Sequence, residues 1–227
     1  MRLLLAALLF CCAANSALAA AKPVPTERVI AVLPDGSLQL QTSGKAVLEN
    51  ILLPDAKLAE SWLAAHALQQ EIDVDADDKD RYGRVQFTSS IEEKMLHDGV
   101  ALLYVSNGEV PDSWHAAEAA ARKAGSGVWA NKNLLLSPDA LAQHESEFHV
   151  VEGTIKHIYE GKTATYLNFG ADWHTDFSVT IPAKNRRRMQ EVLDTLHEGS
   201  TVRVRGMVYE ENGPMMKLTN AENLELN

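Results

Sequence analysis

Hydrophobic and polar positions alternate in short runs through residues 28–88 and again through residues 150–218, and helical spacing interrupts each set of runs. In the first set, Arg28–Leu33 leads into the turn Pro34-Asp35-Gly36. Ser37–Thr42 follows with Leu38 and Leu40 on one face, and Ser43-Gly44-Lys45 turns into Ala46–Leu53. This predicts a three-strand meander. Asp55–Gln70 reads as a helix with Leu58, Trp62 and Leu63 among its apolar residues. Glu71–Val74 and Arg84–Thr88 read as two further strands on either side of an acidic loop. Ser90 and Glu93 form a capping box for a second helix that Gly99 closes. An alanine-rich third helix, Asp112–Ala124, stops before Gly125-Ser126-Gly127.

The second set has the same order. Val150–Ile158 is a strand with a turn at Glu160-Gly161, and Ala164–Phe169 and Phe177–Ile181 are strands two and three. Arg186–Leu196 reads as a helix, Val202–Tyr209 as strand four, and Asn212-Gly213 turns into Met215–Leu218. Three strands, one helix and two strands is the order of an OB barrel. The expected fold class is therefore mainly β with α: two tandem OB-like five-stranded barrels, the first with flanking helices. The first barrel is placed at residues 27–133 and the second at 148–227. Between them, at 134–147, lies a linker that reads as a short helix over Ser137–Phe148.

The amino terminus does not fit either barrel. Arg2 precedes an apolar run, Leu3–Ala14, too short to span a membrane, and Ala17-Leu18-Ala19 has the small-x-small pattern of a cleavage site. Residues 1–19 thus read as a signal peptide, which implies a periplasmic or secreted protein with no membrane insertion after cleavage. Both cysteines, Cys11 and Cys12, lie in this segment, so the mature chain would hold no disulfide or thiolate metal site. The net charge is −10, and most of the acidic excess lies in residues 20–147. Nucleic-acid binders normally carry a basic face, so this balance counts against ordinary nuclease function.

Asp80-Arg81-Tyr82-Gly83-Arg84 resembles the Asp-x-Tyr-Gly-Arg motif of the thermonuclease (staphylococcal nuclease-like) family, and Gly127-Val128-Trp129 after the third helix resembles that family's Gly-x-Trp ending. The resemblance covers about residues 27–133. Thr165-Tyr166-Leu167-Asn168-Phe169-Gly170 and Arg205-Gly206 resemble the C-terminal domain of some exported relatives. The resemblance implies calcium-assisted phosphodiester hydrolysis by a carboxylate-bound metal, a glutamate and two arginines. Arg84 and Asp55 stand at two of those positions. Gly36 stands where a metal carboxylate is required, with Asp35 one residue away, and a one-residue shift points a strand side chain to the opposite face. A local slip of the turn would restore Asp35. Asn50 replaces the second arginine and Leu58 the glutamate. Catalytic candidates are thus the remnants Arg84 and Asp55, with Asp35 and Asp55 as weak metal candidates, and no metal or cofactor is expected. Calcium belongs only to the alternative of an active nuclease.

Other clusters are weaker. The run Asp73, Asp75, Asp77, Asp78, Asp80 has Asp78 and Arg84 where a calcium loop needs glycine and glutamate, so it reads as a solvated loop. The eight histidines show no paired metal spacing. In the second barrel, Tyr166, Phe169 and Trp173 near strands two and three, with Arg186, Arg187 and Arg188, make a candidate nucleic-acid-binding face. Solvated arginines over a core tyrosine are the competing reading. The expectation is a catalytically degenerate binding module whose partner is single-stranded nucleic acid, an envelope glycan or a protein. An active calcium-dependent nuclease and a purely structural envelope module are the alternatives.

Overall fold

A computed structural model describes residues 25–74, 80, 82–87, 90–143, 147–172 and 174–227. Residues 1–19, expected to be a signal peptide, Trp173, the acidic residues Asp75, Asp77 and Asp78, and part of the linker (144–146) lie outside the described residues.

In the amino-terminal half, strands β1 (Thr26–Val32), β2 (Leu38–Leu40) and β3 (Gly44–Leu48) form the meander. The third run breaks at Asn50, whose φ of 58° no strand accepts, and resumes as β4 (Ile51–Leu52). Helix α1 (Ala56–His66) is shorter than its sequence pattern, since the chain turns through Gln69, also at positive φ. It leads to β5 (Glu71–Asp73), β6 (Val85–Phe87), α2 (Ser90–His97), β7 (Leu102–Leu103) and α3 (Asp112–Ala124). The five-stranded sheet runs β5-β1-β2-β3-β6 with β3 and β6 parallel, and β4 pairs with β7 beside it. This is the OB strand order with α1 between the third and fourth strands. The core holds Val29, Leu38, Leu40, Leu63, Met95 and Leu96. Gly125 closes α3 in the left-handed conformation. Gly127 must be glycine because a Cβ there would collide with the Gly99 carbonyl, which accepts from Val128 N at 2.8 Å.

In the carboxy-terminal half, β8 (Leu135–Leu136) pairs in parallel with β9 (Phe148–Thr154), so two residues of the expected linker join the second sheet. The rest of the linker holds a 3₁₀ turn at Pro138–Gln143. The strand predicted over 150–158 is bent: β9 and β10 (His157–Glu160) are its two halves, separated by Ile155 and Lys156. Then come β11 (Ala164–Asn168), β12 (Ser178–Pro182), α4 (Ala183–Arg186), a 3₁₀ turn, α5 (Gln190–Thr195), β13 (Thr201–Glu210), β14 (Pro214–Lys217) and β15 (Leu224–Leu226). The order β10-β11-β12-β14-β13-β9 returns to the bent strand it started from, with β12 and β14 parallel. The two halves of one bent strand thus pair at opposite ends of this order, β10 with β11 and β9 with β13.

The two halves meet across β7. Its free edge is closed by side chains. Glu118 accepts from Leu103 N at 2.7 Å, and Arg205 donates to Leu103 O at 3.1 Å and to Glu118 at 2.5 Å. Asn223 takes both backbone groups of Val105, each at 2.9 Å. Glu118 and Arg205 are each 1% exposed, so neither charge has water to fall back on. Leu102, Ala121, Trp129, Leu134 and Val150 pack around them.

Removing one partner of such a pair leaves a buried charge. Arg205→Ala is expected to lower unfolding stability by about 3–5 kcal/mol, whereas the paired change Glu118→Leu with Arg205→Met costs clearly less than the single change. Denaturant unfolding of the two variants checks this ordering.

Candidate functional site

The three charged candidates of the first half are each held by their own neighbours. Asp35 lies in the turn before β2. Its carboxylate accepts from Ser37 N at 3.2 Å and from the Ser37 hydroxyl, and Lys45 Nζ lies 2.5 Å from its other oxygen. The Lys45 ammonium and then Ser37 pull its pKa down to about 2. Gly36, at φ 76°, packs on Leu53, which brings this turn beside the end of β4. Asp55, two residues past Leu53, is the N-cap of α1: one carboxylate oxygen accepts from Lys57 N and Leu58 N, both at 3.0 Å.

Arg84 closes the turn that carries the Tyr-Gly-Arg motif. Asp80 Oδ1 accepts from Tyr82 N at 2.8 Å and Arg84 N at 3.0 Å, while Oδ2 takes Arg84 Nε at 2.6 Å and Nη2 at 2.5 Å. Burial works against the Asp80 charge, but the Arg84 guanidinium and these two amides outweigh it and hold the carboxyl below its ordinary value. Gly83 takes φ 76° within the turn, and Arg84 lies 5.2 Å from the Tyr82 ring centre. The motif is therefore a self-satisfied turn in which the aspartate claims the arginine.

Asn50 stands where the resemblance calls for a second arginine. Its carbonyl accepts from Tyr104 N at 2.9 Å and its side chain from Ser106 N at 3.2 Å, which ties β4 to the segment after β7. Asp35, Asp55 and Arg84 share no hydrogen bond or ion pair with one another. Among the described residues no three histidines, cysteines or acids lie together as a metal site.

The second half holds a groove of about 800 Å³ on the outer face of β10–β14. Strand alternation builds it. Leu167, Val179, Ile181, Val208 and Met216 point into the core and are fully buried, and the residues between them face outward. Tyr159 on β10 is the direct cross-strand partner of Tyr166 on β11, and Tyr166 is the partner of Thr180 on β12. Tyr209 on β13 reaches Thr180 Oγ1 with its hydroxyl at 3.4 Å.

Of the aromatic residues singled out in the sequence, Tyr166 lines this groove and Phe169 does not. Phe169 is 5% exposed and packs at 5.1 Å, ring centre to ring centre, on Phe177. Its odd separation from Tyr166 puts it on the core face. Arg186 donates to Thr165 Oγ1 at 2.9 Å and to the Gly161 carbonyl, and pairs with Glu160. Arg188 donates to Thr219 O at 2.6 Å, and with Arg187 it borders a shallow polar depression away from the groove. Tyr159, Tyr209, Asn168 and Thr180 were missed. The register of β10 to β11 and of β13 to β14 is what gathers them.

Residues 43–131, which include Asn50, Asp55 and Arg84, match the family model described as staphylococcal nuclease homologue. A search among curated proteins found no match.

Asp35 provides a direct measurement. Its pKa lies below the ordinary 3.8, so its contribution to stability is present above pH ~4 and disappears as pH falls through about 2. The pair is half exposed, which limits that contribution to under ~1 kcal/mol. Lys45→Ala is expected to return the Asp35 carboxyl toward 3.8, read by NMR titration.

Proposed function

Residues 43–131 form a staphylococcal nuclease-like domain, and from that premise we propose that the chain is an exported binding protein whose nuclease-like barrel does not hydrolyse phosphodiesters. At the level of the family, this domain goes with nuclease or nucleic-acid-binding function. The single observation that carries the finer reading is local neutralisation: Arg84 is claimed by Asp80, and Asp35 by Lys45. A phosphoryl-transfer centre needs the reverse, uncompensated charges preorganised toward one reacting group.

The donors present do not fit calcium. The ion takes about six to eight oxygens, and two separated carboxylates, one a helix cap and one paired to lysine, cannot surround it. Gly36 and Leu58, at positions where the family would carry acids, offer no side-chain oxygen. Asn50 cannot make a charged bidentate contact to phosphate, and its side chain is committed to Ser106. What remains is a folded barrel suited to presenting surfaces.

Export rests on Arg2, the apolar run Leu3–Ala14 and Ala17-Leu18-Ala19, which together support a periplasmic or secreted destination. No helix among the described residues is long and apolar enough to cross a membrane.

The reading is tested on the purified protein with single-stranded DNA and millimolar calcium, beside a chelator control. No chelator-sensitive cleavage is expected, and wild type and Arg84→Ala should behave alike. Cleavage that the chelator stops and Arg84→Ala abolishes would overturn it. Asp55→Ala should lower stability by about 1 kcal/mol through loss of the α1 cap, with the same loss whether or not calcium is present, as read by thermal unfolding.

A further inference from the structure

We propose that the tyrosine-lined groove of the second barrel binds an uncharged oligosaccharide; this rests on the binding-protein reading above and names the ligand class. Three of the chain's five tyrosines line the one groove. None of them belongs to the barrel core, which apolar side chains such as Leu167, Phe169, Phe177 and Val179 fill. Tyr159 is 63% exposed, a large apolar surface left to water on a strand that could have carried a polar residue. Tyr159 and Tyr166 lie 6.2 Å apart, ring centre to ring centre, tilted by 33°. They therefore do not stack face to face on one another, and ring surface stays available as a platform. Such faces suit the apolar C–H side of a sugar ring, and the phenol hydroxyls suit its rim.

The polar groups around the rings are neutral. Ser178 donates to Asn168 Oδ1 at 2.9 Å, which orients the Asn168 amide so that its N–H groups are left for a ligand. Thr180 supplies a hydroxyl on the groove floor. The charged residues lining the groove are one base, Lys217, and one acid, Glu211. Hydroxyls and amides without a net charge match a polyhydroxylated neutral chain.

The same inventory disfavours a phosphate chain, whose affinity comes from rows of cations. Three arginines of this barrel are committed to acids, and Lys184, Arg187 and Arg188 border a separate depression rather than the groove. Arg203 pairs with Glu152 and Glu225, Arg205 with Glu118, and Arg186 with Glu160. The chain as a whole carries a charge of −10, which repels a polyanion at long range.

The test is calorimetric titration of the full protein with hexamers of N-acetylglucosamine and of glucose, and with a twelve-residue oligothymidylate at physiological salt. At least one saccharide is expected to bind saturably, and Tyr159→Ala and Tyr166→Ala should each weaken it by about tenfold while leaving the melting temperature near that of wild type. Lys217→Ala should change saccharide binding little. Binding of neither saccharide by folded wild-type protein would overturn the proposal, as would binding indifferent to both tyrosine substitutions. Oligothymidylate binding lost in the tyrosine variants would overturn the ligand class while leaving the binding reading intact. Failure of that broader reading appears separately, as the Arg84-dependent cleavage described above.

Discussion

The free edge of β7 must be satisfied out of water, and the joining of the two halves follows from how that is done. A strand edge presents N–H and C=O groups that cost free energy when buried without partners. Here another strand does not cover it. Glu118 and Arg205 together take both backbone groups of Leu103, and the Asn223 amide takes both of Val105. The carboxylate comes from α3 of the first half, while the guanidinium and the amide come from the second. Neither half alone closes the edge. The ion pair is thus less a source of net stability than a lock on relative position, since an apolar substitute would fill the volume but orphan the Leu103 groups. Around it, His115 meets Glu222 at 2.7 Å and Arg122 reaches Glu225, which extends the polar seam outward.

The same rule, that a charge takes the nearest partner, explains the candidate centre of the first half. Arginine and carboxylate persist there, but Asp80 has Arg84 within its own turn, and Asp35 has Lys45 on the neighbouring strand. A centre that acts on phosphate must hold charges apart from their neutralising partners until the substrate arrives, at a cost in folding stability. Positions 36, 50 and 58, filled by Gly36, Asn50 and Leu58, leave nothing for which that cost would be sustained. On the proposed reading, the local pairings Asp80–Arg84 and Asp35–Lys45 stand in place of such a centre.

Much of this was legible in the residues. Alternation located both meanders and the strand order, and Gly125 marked the end of α3 where the structure ends it. The resemblance to the nuclease family, read from Asp80–Arg84 and Gly127–Trp129, agrees with the family match over residues 43–131. What sequence did not resolve depends on long-range register. The bend that splits β9 from β10 is invisible in an alternating run, yet it sends one half to β11 and the other to β13. Phe169 was grouped with Tyr166 by proximity, though period-two counting already places them on opposite faces. Tyr159 and Tyr209 lie 50 residues apart in sequence, and only the pairings β10-β11 and β13-β14 bring them to one groove. Arg186 looked available because Glu160, its partner, lies across a turn and two strands.

Strand β13 connects these observations. Arg203 and Arg205 near its start face the seam with the first half, and Tyr209 near its end faces the groove. The strand pairs with β9 over Thr201–Met207 and with β14 over Val208–Glu210, and β15 covers its other side at Val202–Val204. One strand thus carries both a residue of the seam with the nuclease-like half and a residue of the groove. Arg205 of the buried pair with Glu118 and Tyr209 of the tyrosine groove lie on the same strand, one in the seam and the other on the outer face.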